Sequence, residues 1–182
     1  PNYKIKKKYD LCIISNIKKE YPNYISNQEF YMNLHKAVIK LNLNVVFAGR
    51  YSKKKDPSGY LMEKKYFDKY LGKKINFIEF DEFSTYRASD ESLVTIGDYT
   101  TALLESFARG NKIIVVNTSK YKELNFFIDG VWDLKEYDSQ SIINKLNSIL
   151  NYDDKDWAKM IEIYKENFIK NLNNSKSILS IK

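Results

Sequence analysis

Most of the chemistry this chain could do is concentrated between Val94 and Gly110. The stretch reads Val94-Thr95-Ile96-Gly97-Asp98-Tyr99-Thr100-Thr101-Ala102-Leu103-Leu104-Glu105-Ser106-Phe107-Ala108-Arg109-Gly110. An apolar run gives way to Gly97, which permits a tight turn. Asp98, Thr100 and Thr101 follow, and each is a residue type that caps helix starts. A helix start carries free backbone N–H groups and the positive end of the helix dipole, so two hydroxyls beside it suit a phosphate or diphosphate. Glu105 lies one turn beyond Thr101 on the same face. A carboxylate there can accept hydrogen bonds from the two hydroxyls of a ribose. Capping alone also accounts for the hydroxyls, and solvation accounts for Glu105, so both readings stand. The pattern is not a Walker A loop, and no GxGxxG follows the first apolar run.

The elements that must position these residues alternate. Tyr9–Ser15 is a short, β-branched apolar run and predicts a buried strand. Asn16–Asn27 reads as a loop. Gln28–Leu41 spaces Phe30, Tyr31, Leu34, Val38 and Leu41 as one helix face. Val45–Ala48 is a second strand, and Tyr51–Gly59 a lysine-rich loop broken by Pro57 and Gly59. Tyr60–Leu71 predicts a helix with Leu61, Tyr66, Phe67 and Tyr70 as its apolar residues and Gly72 as its stop. Ile75–Phe80 is a third strand, Thr85–Ala88 a short helix, Ser92–Ile96 a fourth strand, Thr101–Arg109 a helix and Lys112–Asn117 a fifth strand. Tyr121–Asp129 is ambiguous. Val131–Leu134 is a short last strand, and Ser139–Leu150 and Asp154–Asn171 are helices capped by Asp138 and Asp153. This order predicts a single α/β domain with a doubly wound, mainly parallel, Rossmann-like sheet of about five to six strands. Ligands of such sheets bind beyond the carboxyl ends of the strands. The loops there are Ser15–Lys19, Gly49–Lys55, Phe80–Tyr86, Gly97–Thr101 and Asn117–Lys120.

In those loops Lys18, Lys19 and Arg50 could neutralise phosphate charge, although each is also an ordinary solvated base. Phe80, Phe83 and Tyr86 could stack on a nucleotide base, with core packing as the alternative. One cysteine, Cys12, excludes an internal disulfide and a thiolate metal site. Cys12 lies in an apolar run and reads as core. The single histidine, His35, falls mid-helix, away from any triad partner. Asp153, Asp154 and Asp156 begin a helix, and no DxD motif ends a strand. The expected chemistry therefore uses no metal and no cofactor.

With 182 residues, 43% hydrophobic and 29% charged, the chain is globular in balance. No apolar run approaches the roughly 20 residues of a membrane span. No apolar segment follows the basic Pro1–Lys8 start as a signal peptide requires, so a cytoplasmic location is expected. The chain opens on Pro1 and is expected to be a fragment of a longer enzyme. The formal charge of +7 is dominated by lysine, beside abundant Asn, Ile and Tyr, a bias that AT-rich coding also produces. No nucleic-acid-binding motif accompanies it, so no specific nucleic-acid partner is expected. Lys-rich loops allow peripheral contact with an anionic inner membrane face.

Thr95–Arg109, with Gly110, Asn111 and Lys112, resembles the carboxyl-terminal domain of GT-B-fold bacterial surface-polysaccharide and lipopolysaccharide glycosyltransferases. Arg50, Ser58-Gly59, Glu63, Tyr66-Phe67, Leu71-Gly72, Ser84 to Tyr86 and Ser89-Asp90 extend the resemblance, which covers roughly Lys8 to Asn117. Tyr99 and Leu103 depart from it, standing where a small acidic residue and a glycine are usual. The resemblance implies that Thr100 and Thr101 hold a donor diphosphate with the helix amides and that Glu105 binds the ribose. It implies a nucleotide sugar as donor, and a glycan or lipid-linked acceptor met through an amino-terminal domain. That domain would also bring the catalytic base. Arg109 is read as structural, closing the helix near the negative end of its dipole. Two alternatives stay open: a CDP-alcohol-dependent polyol-phosphate transferase domain, and a non-enzymatic α/β module that binds a ligand or partner.

Overall fold

A computed structural model of the chain describes residues 6–18, 25–72, 75–98, 100–118 and 129–164, with 25–27 described as backbone only. The element order is β1 (Tyr9–Ile14), α1 (Ile25–Leu41), β2 (Val45–Ala48), α2 (Pro57–Tyr70), β3 (Asn76–Ile78), α3 (Ser84–Asp90), β4 (Ser92–Asp98), α4 (Thr101–Ala108), β5 (Lys112–Val116), β6 (Asp133–Leu134) and α5 (Ser139–Leu150). A last helix, α6, is described over 154–164.

The strands form one six-stranded sheet in the order β3-β2-β1-β4-β5-β6, with every pair parallel. This is the doubly wound arrangement that the alternation of elements predicts. Chain direction across the sheet reverses between β1 and β4, where Leu11 pairs with Val45 on one side and Val94 on the other. Right-handed crossovers then place the helices of the two halves on opposite faces. On one face α1 touches α2, and on the other α3 touches α4, while α5, which follows β6, returns to pack on α1.

The strands bury both faces. Leu11 to Ile14, Val45 to Ala48, and Ile113 to Val116 are all core. Cys12 is fully buried, and burial pushes its thiol pKa up, which leaves it an inert core side chain. The face of α1 is the one its spacing predicts: Phe30, Tyr31, Leu34 and Val38 are buried. Phe47, Phe67 and Phe77 stack together on β2, α2 and β3. A second aromatic group joins Phe107 of α4, Trp132 and Trp157 of α6.

Several boundaries differ from those the sequence predicts. Pro57 does not break a loop. It occupies the first turn of α2, where its missing N–H costs nothing, behind the Asp56 cap, whose carboxylate accepts from the Gly59 amide at 3.1 Å. The buried face of α2 includes Tyr66 and Phe67, as predicted, but Leu61 and Glu63 depart from the prediction. Leu61 is 65% exposed, whereas Glu63 is fully buried beside Tyr66 and Phe67. The α1 helix starts at Ile25, three residues before the predicted start at Gln28, and β3 stops at Ile78, leaving Phe80 in a loop. The ambiguous stretch 121–128 lies outside the described residues, as do 165–171 of the last predicted helix.

Candidate functional site

The carboxyl edge of the sheet gathers the ends of β1, β2 and β4, and each is fixed differently. At β4 the strand runs two residues further than predicted, through Gly97 to Asp98, which pair with Val115 and Val116. Gly97 therefore makes no turn, and its φ is not positive. Its lack of a side chain serves a close approach instead: a Cβ there would lie 3.3 Å from Ile14 Cβ of the neighbouring strand. Asp98, one of three residues able to cap the helix, ends the strand, and its buried carboxylate accepts a short hydrogen bond from the Thr118 hydroxyl. That contact ties the tips of β4 and β5 together.

Thr100 is the cap. Its backbone is extended, and its Oγ1 accepts from the Leu103 amide at 3.2 Å. Thr100 O takes the Leu103 and Leu104 amides as well. Among the described residues the Thr101 and Ala102 amides have no protein acceptor, and Thr101 is exposed. Two free N–H groups thus open the helix beside two hydroxyls, the arrangement that favours an anion.

Glu105 stands one turn further along α4 and is half-buried. One of its oxygens, Oε2, accepts from the Tyr86 hydroxyl of α3 at 2.6 Å. Its other oxygen accepts nothing among the described residues. The Arg109 guanidinium lies 5.7 Å from the Tyr86 ring centre and forms an ion pair with Asp90. Arg109 is the C-cap residue of α4, at the negative end of the helix dipole, and its ion pair with Asp90 is a further contact that the sequence did not indicate.

At the ends of β1 and β2 a different carboxylate takes charge. Glu63 of α2 reaches under the sheet edge and accepts from the Ser15 hydroxyl in a short hydrogen bond. It also accepts from the Arg50 amide at 2.9 and 3.0 Å and the Tyr51 amide at 3.3 Å. Burial pushes its pKa up, against the pull of those donors. Gly49 makes room for it, since a Cβ there would meet Glu63 Oε2 and Ile78 O at 3.0 Å. Glu63 thereby sets the path of the backbone that presents Arg50. The pattern reading of α2 by apolar residues alone passed over Glu63. Its spacing of three and four from Tyr66 and Phe67 was the signal that it shares their buried face.

Arg50 and Lys18 are exposed at this edge, beside the exposed run Lys53, Lys54 and Lys55; Lys19 lies outside the described residues. Phe80 is half-buried, Phe83 is 58% exposed, and Tyr86 is half-buried with its hydroxyl on Glu105. At the other end of the same edge, beyond β5 and β6, a cleft of about 770 Å³ is lined by Glu29, Asp129, Asp133, Glu136 and Asp138, with Lys135. The edge is thus basic beside β1 and β2 and acidic beside β6. Among the described residues no three His, Cys, Asp or Glu side chains form a group able to hold a metal ion, and no helix is long and apolar enough to cross a membrane.

The sequence matches no protein-family model and no curated protein. Solved structures do resemble the fold. A glycosyltransferase from Rickettsia africae is 16% identical, with a TM-score of 0.57 over 97% of this chain and 49% of its own. The carboxyl-terminal domain of a group 1 glycosyltransferase, LpcC, from Francisella tularensis is 20% identical, with a TM-score of 0.51 over 87% of this chain and 83% of that domain. A UDP-GlcNAc 2-epimerase from Neisseria meningitidis, solved with UDP-GlcNAc bound, is 15% identical, with a TM-score of 0.53 over 88% of this chain and 45% of its own. The chain spans less than half the length of the Rickettsia and Neisseria proteins. At such identities the likeness is one of fold, and the fold is GT-B-like.

Proposed function

We propose that this chain is the nucleotide-sugar donor-binding domain of a glycosyltransferase, one that builds cell-surface polysaccharide or lipopolysaccharide. The observation that carries the reading is the β4–α4 junction. It sets two amides and a carboxylate oxygen that have no partner among the described residues, with two hydroxyls, so that a diphosphate can sit one turn ahead of a ribose. It does so beside the reversal of strand order, where doubly wound sheets bind ligands. The charge along the edge supports the same placement. A diphosphate is attracted to the side of Lys18 and Arg50 and repelled by the five carboxylates of the β6 cleft. Chemistry in this reading consists of stabilising the leaving diphosphate, while a second domain supplies acceptor and base. This chain alone then binds nucleotide weakly and turns over poorly.

A second reading rests on the epimerase likeness: the same donor site serves an enzyme that rearranges the sugar of UDP-GlcNAc without transferring it. The first test is common to both. Backbone amide NMR shifts are followed while UDP, GDP, CDP and CMP are titrated into the chain and into Glu105→Ala. The expected result is a diphosphate that shifts amides from Gly97 to Glu105, with about tenfold weaker binding in the variant. A response to CDP alone would transfer the site to CDP-alcohol chemistry. No response to any nucleotide at millimolar concentration would overturn the donor-site reading. A product assay on the full-length protein with UDP-GlcNAc then separates glycoside formation from epimerisation.

A further inference from the structure

The sequence allows Tyr86 to stack on a base, but its hydroxyl has another engagement. The α3 and α4 helices are joined along one seam by three sets of contacts. Ser89 of α3 meets both Thr95 of β4, at 2.8 Å, and Ser106 of α4, in a fully buried group of hydroxyls. Asp90 receives Arg109 through Nε at 3.1 Å and through a second, shorter contact, and also receives Asn111 at 2.8 Å. The third set is Tyr86 with Glu105. On α3 the three contacting residues are spaced i, i+3 and i+4, which puts them on one stripe. The first two sets fix the helices to each other through a buried hydroxyl cluster and an ion pair. Tyr86–Glu105 is the half-buried member, on the residue of α4 that precedes Ser106.

A glutamate has three rotatable bonds, and a half-buried one with no partner would sample several rotamers. The phenol removes that freedom. It occupies Oε2 and leaves Oε1 as the carboxylate oxygen able to accept from a ligand. The phenol in turn is held from losing its proton by the carboxylate it donates to, which raises its pKa. The phenol therefore remains a donor throughout the neutral range.

We infer that Tyr86 is a positioning residue. Its hydroxyl fixes the Glu105 carboxylate so that the site selects a nucleotide carrying a ribose 2′-hydroxyl over its 2′-deoxy counterpart. The inference rests on the donor-site reading and adds to it the sugar that the site discriminates and the residue that makes it do so. Tyr86 touches no ligand through its hydroxyl; it acts through Glu105.

The test compares UDP with 2′-deoxy-UDP by NMR titration of the wild-type chain, Tyr86→Phe and Tyr86→Leu, with thermal unfolding of each. The expected result is a wild-type preference for UDP that falls about fivefold in Tyr86→Phe, through weaker UDP binding, while 2′-deoxy-UDP binding stays within about twofold. Tyr86→Leu should lose the same preference. Equal weakening of both nucleotides in Tyr86→Phe would assign Tyr86 a purely structural role and overturn the inference. An unchanged preference in Tyr86→Phe, with both nucleotides weakened in Tyr86→Leu, would make the ring a base-stacking surface and overturn it as well. In either case UDP still binds the wild type, so the donor site itself survives. A wild type that binds neither nucleotide overturns both together.

Discussion

Two glutamates stand at the same edge of the sheet, and their surroundings give them opposite work. Glu63, under the β2–α2 junction, is fully buried and takes hydrogen bonds from Ser15, Arg50 and Tyr51. Its acceptor positions are filled by the protein, so it can only hold the chain in place. Glu105, at the β4–α4 junction, is half-buried, takes one hydrogen bond from Tyr86 and keeps an oxygen open. A carboxylate that a ligand can use is thus told from a structural one by the count of donors already spent on it. Sequence position says nothing about this, since both lie on the helix that follows a strand.

The contrast can be broken most directly by truncation. Glu63→Ala removes the acceptor of the buried Ser15 hydroxyl and of the part-buried Arg50 and Tyr51 amides, and should cost about 3 kcal/mol in urea unfolding. Glu105→Ala returns its partner to water at a half-buried position and should change stability by less than about 1 kcal/mol. Equal losses in the two variants would erase the distinction.

A middle-sized effect belongs to the cap. Thr100→Ala removes the acceptor of the Leu103 amide and should cost about 1 kcal/mol. It should weaken UDP as well, because the hydroxyl lies beside the free amides. Thr100→Ser should restore both, and a stability loss with no change in UDP binding would make Thr100 a cap and nothing more.

The smallest effect concerns pH. Burial raises the Glu63 pKa in the folded chain above its unfolded value. The stability tied to that shift is fully present below the ordinary glutamate pKa and is lost as pH rises through the raised folded value. Urea midpoints of the wild type should therefore decline across that window relative to Glu63→Gln, which cannot ionise. Parallel pH profiles would show that the donors from Ser15, Arg50 and Tyr51 cancel the desolvation, and a relative rise with pH would show that they outweigh it.

Apolar periodicity carried much of the fold. The β2 strand (Val45–Ala48) and α5 (Ser139–Leu150) have their predicted bounds, and the buried stripe of α1 is the predicted one. Apart from Leu61, what periodicity misjudges is polar or small. Glu63 broke the apolar pattern of α2 because its burial depends on donors from two other segments, which no local window contains. Pro57 read as an interruption because its cap, Asp56, lay inside the same lysine-rich stretch. Gly97 read as a turn, whereas its role is set by Ile14, far away in the chain but adjacent in the sheet. At the site, residue types pointed to Thr100, Thr101 and Glu105, but they could not say which of three residues caps α4. They also gave no sign that Tyr86 engages Glu105, because that contact joins two helices across a strand.

The place of β1 in the middle of the sheet also governs how the chain can be made. Leu11 finds its first neighbour at Val45, but its other neighbour, Val94, is synthesised roughly 50 residues later. At translation rates of roughly 5–20 residues per second, one edge of this central strand stays unpaired for several seconds. Until β4 emerges, the nascent chain carries an open apolar ribbon ready to pair with any extended segment. The strand that organises the finished sheet is thus the one most in need of chaperone cover during its birth.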